Sequence, residues 1–255
     1  MPHVNDVAVT LRRLDFSETS QILVLFARAA GKVRLIAKGV KRGTKKRYAT
    51  GIDLLEMGHV VFTERQERQA NLATLVEWKQ ITAFSGLRND LKRLYGAQYM
   101  AETTAALTED RDPHEHLFDA LAEALHALEA AAGTLPPVVE YQVRLLTEIG
   151  LFPELGRCLE CGRAWKRRPG WFFSSHQGGL ICRDCESAVV EKRRLRDGTV
   201  ELLSVLAARK APSSAQPPHW IGGFDILDYH ITHLMGRPPA TSAYVVTESA
   251  RRTLR

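Results

Sequence analysis

The four cysteines of this chain fall in two matched pairs, Cys158-x2-Cys161 and Cys182-x2-Cys185, separated by twenty residues. Each CxxC can fold into a tight knuckle that aims both sulfurs at one point. Two knuckles together supply the tetrahedral four-sulfur set that Zn²⁺ prefers. Two disulfides, or a redox CxxC, are the rival uses. The opening residues MPHVNDVAVT contain no apolar run of the sort a secretory leader carries, so a reducing cytoplasm is the expected compartment. A redox motif needs one CxxC on a thioredoxin-like unit, not two matched ones. The sequence thus predicts a structural zinc site with Cys158, Cys161, Cys182 and Cys185 as ligands. Four protein sulfurs leave no open position for catalysis.

The residues between the pairs suit a small metal-held module. Gly162 follows the first knuckle, Trp171, Phe172 and Phe173 read as a short strand, and Gly178-Gly179 as the turn into the second knuckle. His176 lies in this loop and is read as a surface or turn histidine, because four thiolates already satisfy the ion. Arg157, Arg163 and Arg183 stand near enough in sequence to offset the negative charge of those thiolates.

Charge is strongly segregated along the chain. Residues 19–52 contain no acid and nine cations: Arg28, Lys32, Arg34, Lys38, Lys41, Arg42, Lys45, Lys46 and Arg47. Residues 101–130 carry eight acids and only Arg111. Such segregation creates a field of one sign over part of the surface, which suits an anionic partner better than the overall net charge of +6 alone would indicate. The longest unbroken aliphatic-aromatic stretch, residues 22–27, is far too short to span a bilayer.

Periodicity divides the chain. In the first eighty residues apolar positions alternate: Val7, Val9 and Leu11, then residues 22–26, then a third strand with Lys32 and Arg34 set against Val33, Leu35 and Ala37. Residues 58–63 and 71–78 complete five short strands, which fit a small closed barrel of OB or SH3-like type. Beyond Ile81 the period becomes helical. Leu87, Leu91, Leu94 and Tyr95 form one face, and Leu117, Leu121, Leu125 and Leu128 another, preceded by Asp112 as a predicted N-cap. A third helix starts near Pro136-Pro137, a short one spans 199–209, and a last one carries Phe224, Leu227, Ile231 and Leu234 after a loop over 212–218.

Catalytic constellations are not apparent. Gly39-Val-Lys-Arg-Gly43-Thr44-Lys45 fails as a phosphate loop, which needs four residues between its glycines and Lys directly after the second. His230 and His233 stand three apart on a helix with no cysteine or acid cluster beside them, and are read as packing and surface. What remains is a basic β-rich unit suited to a phosphate chain. Phe16, Phe26, Tyr48 and Phe62 are candidate stacking platforms, with Phe26 and Phe62 read as core and Tyr48 as the exposed one.

At this point the residues resemble the RecO family of bacterial DNA repair and recombination mediators. Leu14-Asp15-Phe16-Ser17-Glu18-Thr19-Ser20, followed by an apolar strand and Gly31-Lys32, is similar to the family's opening strands, and Ala37-Lys38-Gly39-Val40-Lys41-Arg42 to its basic signature. Gly150-Leu151-Phe152-Pro153-Glu154-Leu155 and Gly178-Gly179-Leu180-Ile181 resemble the entry to and exit from its zinc module. A serine common soon after the basic run is replaced here by Gly43-Thr44-Lys45-Lys46-Arg47. The resemblance implies an α+β, multidomain chain: an N-terminal OB-fold β-barrel over 1–80, an α-helical domain in two parts over 81–155 and 191–240, the embedded four-cysteine zinc module over 156–190, and a tail over 241–255. It implies a cytoplasmic, nucleoid-associated, non-enzymatic protein of the RecF pathway. Such a protein binds single- and double-stranded DNA, anneals complementary strands, and helps load recombinase onto DNA coated by single-stranded-DNA-binding protein. RecR and the acidic C-terminal tail of the single-strand-binding protein are the implied partners, with RecA and RecF engaged indirectly and no membrane. Arg34, Lys38, Lys41, Arg42, Lys45, Lys46 and Arg47 are the expected DNA contacts. A zinc-containing RNA-binding or ribosome-associated structural protein is the alternative.

Overall fold

The computed structural model describes residues 3–42, 51–63, 72–130, 133–212 and 215–246, without the side chain of Arg42. The chain is α+β and divides into two units, Met1–Ala131 and Ala132–Arg255.

The first unit is built on five strands: β1 (His3–Asp15), β2 (Gln21–Ala27), β3 (Gly31–Ala37), β4 (Met57–Thr63) and β5 (Ala73–Thr82). They close into a barrel in the order β1-β2-β3-β5-β4, which is OB-fold connectivity. Closure depends on the parallel pairing Leu35↔Ala73 and Ile36↔Thr74 between β3 and β5, the pairing that separates this barrel from the SH3-like alternative. Alternation then dictates the interior. Ala8, Leu23, Leu25, Val33, Leu35, Val60, Phe62 and Leu75 point inward and are buried. A bulge between Thr10 and Arg12 lets β1 continue past the barrel's end, where Arg12, Arg13 and Leu14 are exposed.

Two helices complete this unit. α1 (Leu91–Leu107) begins at Asp90, whose carboxylate accepts from the backbone N–H of Lys92 at 2.8 Å and of Arg93 at 3.3 Å. α2 (Glu115–Ala130) starts with the bond from Phe118 N to His114 O, two residues later than an Asp112 cap would place it. The Asp112 carboxylate is instead engaged by the His114 ring at 3.0 Å. Phe118 of α2 meets Phe26 of β2 with ring centroids 6.2 Å apart, so the helices roof one end of the barrel's outer surface. Gly31 is required there. Its φ is +68°, and a Cβ would stand 2.2 Å from the Asp112 carbonyl oxygen.

The second unit packs α3 (Leu135–Glu148), α4 (Thr199–Ala207) and α5 (Pro217–Met235) against one another, with a short α6 (Ser242–Val245) after them. α5 starts seven residues before Phe224, because Pro217 and Pro218 occupy its first two positions, where a missing N–H costs nothing. Gly222 on α5 permits a close approach; a Cβ there would lie 2.3 Å from Thr199 Oγ1. A four-stranded sheet in the order β6-β8-β7-β9 carries the cysteines, with β6 (Glu154–Cys158), β7 (Trp171–Ser174), β8 (Gly179–Cys182) and β9 (Arg193–Arg194). Among the described residues, no helix is long and apolar enough to cross a membrane.

Candidate nucleic-acid face and metal centre

Cross-strand register defines one face of the barrel. Arg12 pairs with Val24 and Val24 with Arg34, while Leu14 pairs with Ile22 and Ile22 with Ile36. Directly paired residues share a side of the sheet, so these two rows lie on the outer surface of β1–β2–β3. Ile22, Val24 and Ile36 are half-buried, and Arg12, Leu14 and Arg34 are exposed. Phe16, just past the end of β1, is 62% exposed and Leu14 is 49% exposed. Phe16 opens the turn to β2, where its backbone N–H donates to Ser20 O at 3.1 Å.

The segment after β3 lies against that turn. Lys41 N donates to Thr19 O at 3.3 Å, and Lys41 Nζ reaches Asp15 at 2.9 Å and the Ser17 carbonyl at 3.5 Å. The hydrogen bond from Lys41 holds the Asp15 carboxyl below its ordinary range. Lys38 is exposed and has no carboxylate partner among the described residues. Arg34 contacts Asp110 at 3.0 Å while half-exposed. The backbone of Arg42 ends a short 3₁₀ turn over Val40–Arg42; its side chain, and all of Lys45, Lys46, Arg47 and Tyr48, fall outside the described residues.

Two cations of the acid-free window serve the fold instead. Arg28 makes a two-point contact with Asp119 at 2.9 and 3.0 Å and meets Glu115 at 2.8 Å. Lys32 is 7% exposed; its ammonium donates to the carbonyls of Ala105, at 2.7 Å, and Thr108, and lies 3.3 Å from Asp110. Those carbonyls belong to the C-terminal turn of α1, where a cation satisfies orphan acceptors and the helix dipole together.

The four cysteines converge. Cys158 ends β6, Cys182 ends β8, Cys161 closes the first knuckle, and Cys185 lies in the 3₁₀ turn over Arg183–Ala188. Their sulfurs all lie within 4.8 Å of one another, and Cys161 Sγ is 3.7 Å from Cys182 Sγ. Four thiolates about 2.3 Å from a central ion would stand about 3.8 Å apart, so the cluster has the dimensions of a four-sulfur metal site. Burial pushes the Cys158 thiol up, but bonds from the backbone N–H groups of Cys161, Cys182 and Glu160 outweigh it and bring it down to about 7. Cys185 is pushed up to about 12, first by its hydrogen bond with Cys161. Arg163 is held by Asp184 and then by the nearby sulfurs of Cys182 and Cys161. Among the described residues this is the one cluster of His, Cys, Asp or Glu able to hold a metal ion. His176 stays outside it, exposed, with its ring 6.1 Å from that of His233.

With this geometry in hand, comparison with known proteins is decisive. A family model described as Recombination protein O N terminal matches residues 1–84, and one described as Recombination protein O C terminal matches residues 88–243. A DNA repair protein RecO of Alkaliphilus metalliredigens is 30% identical over 200 residues, which is 78% of each chain. One from Anaeromyxobacter sp. strain K is 29% identical over 250 residues, 96% of each. The chain belongs to the RecO family. Membership assigns it to DNA repair and recombination. The RecO N-terminal match covers the whole barrel, and the C-terminal match takes in every helix from α1 to α5 and the cysteine cluster.

Two features of this RecO-family chain escape sequence reading. Phe16, one of the four candidate stacking platforms but not the one singled out as exposed, is 62% exposed; the signal was its place one step beyond a strand, at the start of a turn. The other is a polar clamp under the cysteine module. His230 Nε2 faces the Leu151 carbonyl at 3.1 Å, which can only accept, so Nε2 carries the proton and Nδ1 accepts from the Ser175 hydroxyl at 2.8 Å. Glu191 accepts from Ser174 Oγ and from the backbone N–H groups of Ser175 and His176 beside it. The expectation of one packing and one surface histidine holds: His230 is buried and His233 exposed.

Proposed function

We propose that this chain is a non-catalytic recombination mediator that binds single- and double-stranded DNA through the outer face of β1–β2–β3, anneals complementary strands, and helps load recombinase onto strands coated by single-strand-binding protein. The observation that carries this reading is the division of labour along that face. At one end helices cover it and hold Arg28 and Lys32; at the other Arg12 and Lys38, with Arg34 and Lys41 that each meet one exposed carboxylate, stand beside a partly exposed apolar row ending in Phe16. Cations bind by displacing counterions condensed on phosphate, and an exposed aromatic offers a base something to stack on. Arg42, Lys45, Lys46 and Arg47 extend the basic segment in sequence, and Arg12 and Phe16 join the expected contact set.

RecR and the acidic tail of the single-strand-binding protein are the proposed direct partners, with RecA and RecF reached through them, in the cytoplasm and on the nucleoid. Zinc is the proposed ion for the cysteine cluster, in a structural role. Residues 1–80 act as the DNA-binding domain in this reading, with 156–190 as the zinc module set between helical parts 81–155 and 191–240, and 241–255 as a tail.

The test is binding to labelled single-stranded DNA across a salt series with RNA as competitor. Replacing Arg34, Lys38 and Lys41 together with Glu should weaken binding and flatten the salt dependence by about three phosphate contacts. Phe16→Ala should cost about 1–3 kcal/mol of binding with the salt slope unchanged. A preference for structured RNA, or an unaltered slope in the triple variant, would reject the reading.

A further inference from the structure

The second unit holds a basic, aromatic-lined cleft that the reading above does not use. Its first wall is the loop at 163–170, anchored where Trp171 Nε1 donates to the Lys166 carbonyl at 3.1 Å and where Gly170, at φ +93°, turns the chain into β7. This loop presents Trp165, half-buried, beside exposed Arg167 and Arg168. The second wall is the approach to α4: Arg196, then Gly198 at φ +75°, with no side chain capping the helix. Between the walls lies a cavity of about 260 Å³; Arg168 and Trp171 line it and also a second of about 760 Å³ bordered by Lys166 and Arg183.

Asp197, Glu201 and Asp184 also line these cavities, yet part of the positive charge has no carboxylate partner among the described residues. Arg167 meets Glu201 at 3.1 Å, but Lys166, Arg168 and Arg183 have no carboxylate partner among the described residues. Arg196 approaches Asp225 only to 3.9 Å, and its other terminal nitrogen, Nη1, is buried without a hydrogen bond. Balancing the thiolate charge accounts for Arg163, which sits against the sulfurs. It does not account for the smaller cavity, whose lining contains no cysteine. An indole beside the guanidinium of Arg168 and the ammonium of Lys166, neither with a carboxylate partner among the described residues, matches a nucleotide: the ring stacks on a base and the cations take the adjoining phosphates.

The geometry points to a second single-strand contact here, with one unpaired base on Trp165 and its phosphates on Arg168 and Lys166. A duplex keeps its bases stacked and cannot offer one, so the ligand class is single-stranded nucleic acid. The inference deepens the DNA-binding reading, and rests on it for the choice of nucleic acid over another polyanion.

Tryptophan emission tests it on the intact chain. Of the four tryptophans, Trp78, Trp171 and Trp220 are buried, so Trp165 is the more accessible of the two, with Trp171, that line the cleft. Oligothymidine should quench the emission; Trp165→Phe should abolish the quench while keeping bound metal and fold. Lys166→Glu with Arg168→Glu should weaken binding about tenfold by fluorescence anisotropy. A chain carrying Lys38→Glu and Lys41→Glu should still show the quench at higher DNA concentration. Binding by anisotropy with no change in emission, and cleft variants that bind like the parent, would overturn this inference and leave the barrel reading intact. Emission that responds to polyglutamate but not to oligothymidine would overturn it too, by assigning the cleft to an acidic peptide. Barrel variants that bind like the parent, with binding lost only in cleft variants, would instead reject the barrel reading and keep this one.

Discussion

Lys32 and Lys38 stand six residues apart in one acid-free run, yet they do different work. The Lys32 ammonium is enclosed by the last turn of α1 and by Asp110. Lys32→Met keeps the aliphatic stem but leaves the carbonyls of Ala105 and Thr108 without that donor. It should lower stability by about 1.5–3 kcal/mol, the range for hydrogen bonds to a charged group. Lys38 is exposed with no carboxylate partner among the described residues, so Lys38→Met should stay within about 0.5 kcal/mol. Urea midpoints of the two variants check this, and a neutral Lys32→Met would remove the capping role. Sequence alone could not tell these lysines apart. Alternation sets which side of β3 a residue faces, but not that a helix from seventy residues later covers one end of that side. Lys32 pairs with Asp110 through an isolated bridge, a long-range contact with no local trace.

At the scale of elements, the strands and helices were legible where a period repeats: all five barrel strands follow from apolar alternation, and the CxxC pairs announced the cysteine module. The clamp joining that module to α5 was not, because Leu151, Ser175 and His230 come from three separate segments. It gives the second unit a pH dependence of definite sign. Burial lowers the His230 pKa below its usual 6.5, with the charge of nearby His233 adding to this and the Leu151 carbonyl and Glu191 opposing it. The unfolded chain therefore takes up the proton at higher pH than the folded one. This contribution is complete above about pH 6.5 and is lost as pH falls toward the folded value. Urea unfolding at pH 7.5 and 5.5 should show the parent losing more stability on acidification than His230→Gln. The variant itself should start about 1–2 kcal/mol weaker at the higher pH, from its lost hydrogen bonds. Both proteins keep the cysteines, so any metal loss in acid is common to both. Equal losses would mean that His230 does not titrate against folding.

For the whole molecule, the question is how far the cysteine cluster supports the rest. The strands that carry it are two to five residues long, too short to hold together by pairing alone. The barrel has its own continuous core, from Ala8 through Leu35 to Trp78. Removing the ion should therefore unfold the module selectively, because the binding free energy of a structural metal is folding free energy for the element around it. Treatment with a chelator, or the Cys158→Ser variant, should abolish amide protection in β6, β7 and β8 and expose Trp171 and Phe173. Protection in β1 to β5 should persist. Oligothymidine should still bind through the barrel, with a shallower salt dependence and without the Trp165 quench. Barrel protection falling together with the module would mean that the first unit depends on the second for stability. Unchanged protection in the module after complete metal removal would mean that the strands, not the ion, hold the four cysteines together.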